Sequence, residues 1–102
     1  MHPLILEKRE ALEALCRRYR VRRLEVFGSV ADGTFDPARS DVDFLVEFLP
    51  LKAGERFDAY FGLLASLENL LQRHVDLVMT KAIRNRFFLQ SVDRTRTLLY
   101  AA

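Results

Sequence analysis

The sequence predicts a small α/β domain in which helices pack on one face of a mixed sheet. The order of hydrophobic patterns along the chain is helix, strand, loop, strand, helix, strand, helix. Residues 41–48 alternate between apolar and polar side chains, which is typical of a strand. Residues 57–71 carry a wide apolar stripe at helical spacing. We therefore expect one domain spanning residues 1–102.

The first part of the chain predicts a helix followed by a short strand. Pro3 suits a first helical position, and apolar residues at helical spacing extend the helix over residues 3–19. Cys16 is expected to be a small core residue, since no partner histidine that would make it a nucleophile is visible. Residues 23–27 form a strand that ends abruptly at Gly28-Ser29.

The second part predicts further strands and helices in alternation. The strand at residues 41–48 is followed by the helix at 57–71, and residues 74–79 form a third strand. Thr80 is expected to cap a final helix that ends near Val92. The last residues, 97–100, either add a short strand or tuck under the fold.

Composition excludes several classes of function. Sixteen basic and fourteen acidic side chains give a net charge of +2, which is too balanced to predict direct nucleic-acid binding. No apolar run approaches the roughly 20 residues that cross a bilayer, and the N-terminus is charged too early for a signal peptide. A single cysteine excludes an internal disulfide framework and fits a reducing environment, so we expect a cytoplasmic protein.

Three carboxylates form the first half of a candidate site. Asp41 and Asp43 open a strand two residues apart, so their side chains share a face with Cβ atoms about 7 Å apart. Such hard oxygen ligands suit Mg²⁺. Asp76 lies in another strand. If the two strands are neighbours, Asp76 completes a site able to hold two metal ions for in-line phosphoryl or nucleotidyl displacement.

Gly28 and Ser29 form the second half of the candidate site. Gly28 has no Cβ, so a phosphate can approach the backbone, and Ser29 offers a hydroxyl and an N–H. Alone, a Gly-Ser pair is usually a turn, and an Asp-x-Asp is often a solvent-exposed strand end. Their combination in this order favours a nucleotide site. His74 would share a face with Asp76, but a lone histidine is more often structural.

This arrangement resembles the signature of the polymerase-β-like nucleotidyltransferases. The residues that carry the resemblance are Gly28-Ser29, Asp41-Val42-Asp43 and Asp76. In its small size and in the residues around the first two motifs, the chain is similar to the minimal nucleotidyltransferase (MNT) group. These are the antitoxins of HEPN/MNT toxin–antitoxin pairs. The resemblance covers nearly the whole chain and implies the palm-like nucleotidyltransferase fold.

The resemblance also implies an activity and a partner. It implies an antitoxin enzyme, a protein adenylyltransferase, that transfers AMP from ATP to a tyrosine of a HEPN RNase toxin and so inactivates it. Asp41, Asp43 and Asp76 would hold two Mg²⁺ ions, and Asp76 would also assist deprotonation of the acceptor hydroxyl. Gly28 and Ser29 would hold the triphosphate. The partners are then a toxin and ATP, with no membrane.

One position departs from the family pattern. Members commonly carry Arg where this chain has Asp32, and a carboxylate there should repel the triphosphate unless it points away. Arg39 could supply the missing positive charge. The departure leaves an alternative, in which a catalytically weak antitoxin neutralises the toxin by binding alone. Transfer to a small molecule is disfavoured, because 102 residues leave no room for a second substrate-binding domain.

Overall fold

Four strands form a mixed sheet in the computed structural model, which describes residues 1–102. In chain order they are β1 (Val21–Phe27), β2 (Val42–Phe48), β3 (Val75–Met79) and β4 (Thr97–Ala101). Their order across the sheet is β3-β2-β1-β4, with β2 and β3 parallel and the other two pairs antiparallel. The predicted mixed sheet is confirmed, and the chain end supplies its fourth strand.

Five α-helices and one short 3₁₀ turn accompany the sheet. The helices are α1 (Pro3–Glu7), α2 (Arg9–Arg18), α3 (Ser29–Asp32), α4 (Ala53–Leu71) and α5 (Arg86–Thr95), and the 3₁₀ turn covers Thr80–Ala82. The single helix predicted for residues 3–19 is therefore divided at Lys8, whose backbone leaves the helical region at φ −99° and ψ 7°. No helix is both long and apolar enough to cross a membrane.

The main core lies between one face of the sheet and helices α1, α2 and α4. Val42, Phe44 and Val46 alternate along β2 toward this core and are fully buried. Cys16 of α2 is also fully buried, and burial raises the pKa of its thiol to about 12. Its predicted role as a small core residue is confirmed, because such a thiol is protonated and inert at neutral pH.

Helix α5 departs from the prediction that the helices share one face of the sheet. Its Val92 is buried on the opposite face, against Phe27 of β1 and Leu45 of β2. Leu45 interrupts the polar side of β2, and with Phe27 it gives the second face an apolar patch of its own. That patch must be covered, and α5 covers it.

The prediction that Thr80 caps the final helix was wrong. The Thr80 hydroxyl instead donates to the carbonyl of Val46, 3.4 Å away. Asn85 caps α5, because its side-chain oxygen accepts from the N–H groups of Phe87 and Phe88 at 2.8 and 3.2 Å. The helix consequently begins five residues later than a Thr80 cap would require.

Candidate active site

The sheet register brings the predicted site residues to one edge. Because β2 and β3 are parallel, both begin there, and Asp43 lies opposite Asp76. Because β1 is antiparallel to β2, it ends at the same edge, where Phe27 lies opposite Asp43. The turn at Gly28 therefore follows directly beside the carboxylates. The condition set for Asp76, that its strand lies beside β2, is met.

Asp41, Asp76 and His74 form the exposed part of this site. One ligand atom from each lies within 4.8 Å of the others. The Nδ1 atom of His74 lies 3.2 Å from Asp41 Oδ2 and 3.8 Å from Asp76 Oδ1. The sequence placed His74 near Asp76 only. Its contact with Asp41 depends on the parallel pairing of β2 and β3, which no local pattern reveals.

Asp43 is the half-buried member of the carboxylate group. Its pKa is raised to about 6, first by burial and then by the neighbouring carboxylates of Asp76 and Asp41. His74 opposes this effect weakly. The carboxylates of Asp43 on β2, Asp76 on β3 and Asp41 just before β2 thus repel one another, and this donor set fits a divalent cation with hard-ligand preference such as Mg²⁺.

Position 28 requires a glycine for two reasons, its backbone conformation and its close contact with Asp43. Its φ of 73° and ψ of −147° lie in a region that residues with a side chain rarely adopt. A Cβ at Gly28 would lie 2.6 Å from Oδ2 of Asp43. The space left by the missing side chain is therefore filled by the carboxylate, which couples the Gly28-Ser29 turn to the acidic group. The Gly28 N–H donates to Thr95 Oγ1 at 2.8 Å.

A cleft of about 460 Å³ opens beside the carboxylates. Asp43, His74 and Asp76 contribute its polar lining. Tyr60 of α4 and Phe88 of α5 contribute to the apolar lining. The Tyr60 hydroxyl donates to the carbonyl of Leu77 at 2.5 Å, which holds α4 against β3. The site thus has an acidic floor between walls from helices on either face of the sheet.

Asp32 is held within its own loop. Its Oδ1 atom accepts from the Thr34 hydroxyl at 2.6 Å and from the Thr34 N–H at 2.9 Å. These two hydrogen bonds, the hydroxyl first, lower the pKa of the Asp32 carboxyl. Arg39 is exposed in the turn before Asp41, and its side chain forms no ion pair.

The fold and this edge of the sheet define a class of protein. The chain belongs to the family described as "Nucleotidyltransferase domain", which matches residues 8–99. The resemblance indicated by Gly28-Ser29, Asp41-Val42-Asp43 and Asp76 is thereby confirmed at the level of the family. The protein is a nucleotidyltransferase.

The chain is similar to individual members of this class. The chain is 34% identical over 76 residues, 74% of both proteins, to "Putative protein adenylyltransferase MJ1379" of Methanocaldococcus jannaschii. It is 34% identical, with a TM-score of 0.75 and 95% of both chains covered, to a solved "putative minimal nucleotidyltransferase". A chain in the structure of a tri-AMPylated Shewanella oneidensis HEPN toxin in complex with MNT antitoxin shares the fold. That match has 19% identity, a TM-score of 0.61, and covers 95% of this chain and 72% of the other.

Proposed function

We propose that this protein is an antitoxin that transfers AMP from ATP to a tyrosine hydroxyl of a partner HEPN RNase toxin, and thereby inactivates the toxin. The observation that carries the proposal is the meeting of Asp43, Asp76 and Gly28 at one edge of the sheet. A relative named "Putative protein adenylyltransferase" and a neighbour of the same fold solved with a tri-AMPylated HEPN toxin support it. We place the reaction in the cytoplasm, where ATP is available.

Each site residue has an assigned role in this proposal. Asp41, Asp43 and Asp76 would hold two Mg²⁺ ions, which when bound would supply the positive charge that favours displacement at the α-phosphorus of ATP. Gly28 and Ser29 hold the triphosphate beside them. Asp76 takes the proton of the acceptor hydroxyl. The hydroxyl oxygen then bonds to the α-phosphorus, the bond from that phosphorus to the α,β-bridging oxygen breaks, and pyrophosphate leaves.

The exposure of the carboxylates favours a protein as the acceptor. The side chains of Asp41 and Asp76 are 48% and 51% exposed. Although helices flank the cleft, about half of each side chain is open to solvent, so the site is less enclosed than most small-molecule sites. A tyrosine on the surface of another protein can reach such an open face.

The test is the intact mass of the neighbouring gene's product, the candidate HEPN toxin, after incubation with this protein, ATP and Mg²⁺. We expect a gain of one or more AMP units. The D41N/D43N variant keeps the shape of both side chains and should add none, while still binding the toxin. The E7Q/E10Q variant is the matched control, because it also replaces two carboxylates by amides, at exposed positions of helices that pack against the opposite face of the sheet.

Two results would contradict the proposal. A toxin labelled by D41N/D43N at the wild-type rate would remove the carboxylates from the mechanism. A wild-type protein that forms a stable complex without any mass gain would favour neutralisation by binding alone. In that event Asp32→Arg is the first substitution to make, since it restores the residue that family members commonly carry.

A further inference from the structure

One side of α5 is fastened across the face of the sheet that carries the candidate site. Four residues of α5 and its C-cap make these contacts, and we call them the docking face of α5: Phe88, Val92, Thr95 and Arg96. The spacings of four and three place Phe88, Val92 and Thr95 on the same side of the helix, and Arg96 follows as the C-cap. The Phe88 ring meets the ring of Phe27 edge to face at 6.0 Å between centroids.

The end of the docking face is joined to the turn that follows β1. Thr95 accepts the hydrogen bond from the Gly28 N–H at 2.8 Å, across 67 residues of sequence. This N–H is therefore already engaged and is not free for a ligand. What the turn can present to a phosphate is Ser29, and the position of Ser29 follows from that of Gly28.

A buried charge cluster holds the same two segments together. Glu25 is 4% exposed and lies three residues before Gly28. Its carboxylate accepts from Nε and Nη2 of Arg96 at 2.9 and 2.8 Å, and from Nε of Arg23 at 3.0 Å. Arg96 directly follows Thr95. The bidentate ion pair between Glu25 and Arg96 therefore holds the segment before Gly28 against the segment after Thr95, on either side of the Gly28–Thr95 hydrogen bond.

We propose that Thr95 is a positioning residue for nucleotide binding, because its hydroxyl sets the Gly28-Ser29 turn at the place where it receives the triphosphate. The inference depends on the proposed function. Gly28 also packs against the Asp43 carboxylate, since a Cβ there would lie 2.6 Å from Oδ2. Thr95 consequently sets the distance between the turn and the carboxylates as well.

The test compares two substitutions at this position. Thr95→Val keeps the branched shape and removes the acceptor, whereas Thr95→Ser keeps the hydroxyl and is the matched control. The probe is AMP-PNP with Mg²⁺, and its Kd is measured by titration calorimetry. We expect T95V to weaken binding about tenfold and T95S to change it less than about twofold. Binding of AMP, which lacks the β- and γ-phosphates, should be the same in all three proteins.

A second measurement reports on the turn without any ligand. The Gly28 amide proton should exchange with solvent faster in T95V than in the wild type or T95S, as followed by NMR. If T95V does not fold, T95A makes the same comparison. Equal AMP-PNP affinity in T95V and wild type would overturn the inference and leave the proposed function intact. A wild-type protein that binds no AMP-PNP would instead reject the proposed function, and the inference with it.

Discussion

Replacing Asp43 by Asn should stabilise the fold while it removes a proposed metal ligand. The pKa of Asp43 is raised from 3.8 to about 6, first by burial and then by Asp76 and Asp41. For a fully enclosed group this difference corresponds to about 3 kcal/mol at neutral pH. Asp43 is only half-buried, so solvent screening reduces the expected gain to about 1–2 kcal/mol. The Asn amide keeps the shape and can donate to Asp76.

The sign of the effect follows from the direction of the pKa change. Between pH 3.8 and about 6 the folded protein binds more protons at Asp43 than the unfolded chain does. The wild type therefore loses stability as the pH rises through this range, and the loss is complete above it. Asn carries no such loss, so the advantage of D43N should be full at pH 7.5 and absent below pH 4.

The assay is thermal unfolding by circular dichroism, with EDTA present to remove divalent cations. A gain of 1–2 kcal/mol should raise the Tm of D43N by about 5–10 °C at pH 7.5. Millimolar Mg²⁺ should narrow the difference, because a bound cation stabilises only the wild-type carboxylate. A D43N protein no more stable than wild type at pH 7.5 would refute this reasoning. A gain of equal size at pH 4 would refute it too.

Two further substitutions test the surroundings of the site. Gly28→Ala should cost about 2–4 kcal/mol in urea unfolding, because φ is 73° and the new Cβ would lie 2.6 Å from Asp43. Gly33→Ala is the control, since φ is 88° there but a Cβ would meet nothing within 4 Å. A loss as large in G33A would show that contact with Asp43 contributes nothing. Glu25→Gln should also cost about 2–4 kcal/mol, because it removes the buried charge that Arg96 and Arg23 both contact and leaves Arg96 with only the exposed Asp93 as an ionic partner. Arg96 first, and Arg23 less, lower the pKa of Glu25, so wild-type stability should fall as the pH drops through the usual carboxyl range. The E25Q protein should lack that part of the acid sensitivity, and urea midpoints measured between pH 3 and 7 would reveal it.

Much of the sheet could be predicted because its signals are local. The alternation along β2 placed Val42 and Phe44 in the core and Asp43 on the other face, and the structure agrees. The prediction that Asp41 and Asp43, two residues apart, lie on the same face needed only the two-residue period of a strand. The Gly28-Ser29 turn could be predicted because a glycine directly follows the end of a strand.

The features that were missed all depend on distant pairings. His74 lies beside Asp41 only because β2 and β3 are parallel neighbours. The contact of Thr95 with Gly28 spans 67 residues. Helix α5 could have been placed on the second face of the sheet only by noticing that Leu45 is apolar on the otherwise polar side of β2, and that Val92 of α5 covers it. In each case the decisive partner lies outside the window in which periodicity can be read.

The attachment of α5 has a consequence for how the molecule opens. The main core joins nineteen buried residues, whereas the patch beneath α5 joins Phe27, Leu45 and Val92. Because so little apolar surface is buried beneath it, we expect α5 to unfold first, as a local cooperative unit, while the rest of the sheet stays intact. Because the unit includes Thr95, its opening also releases the turn at Gly28. Warming should therefore abolish nucleotide binding at a lower temperature than the one at which the sheet itself melts.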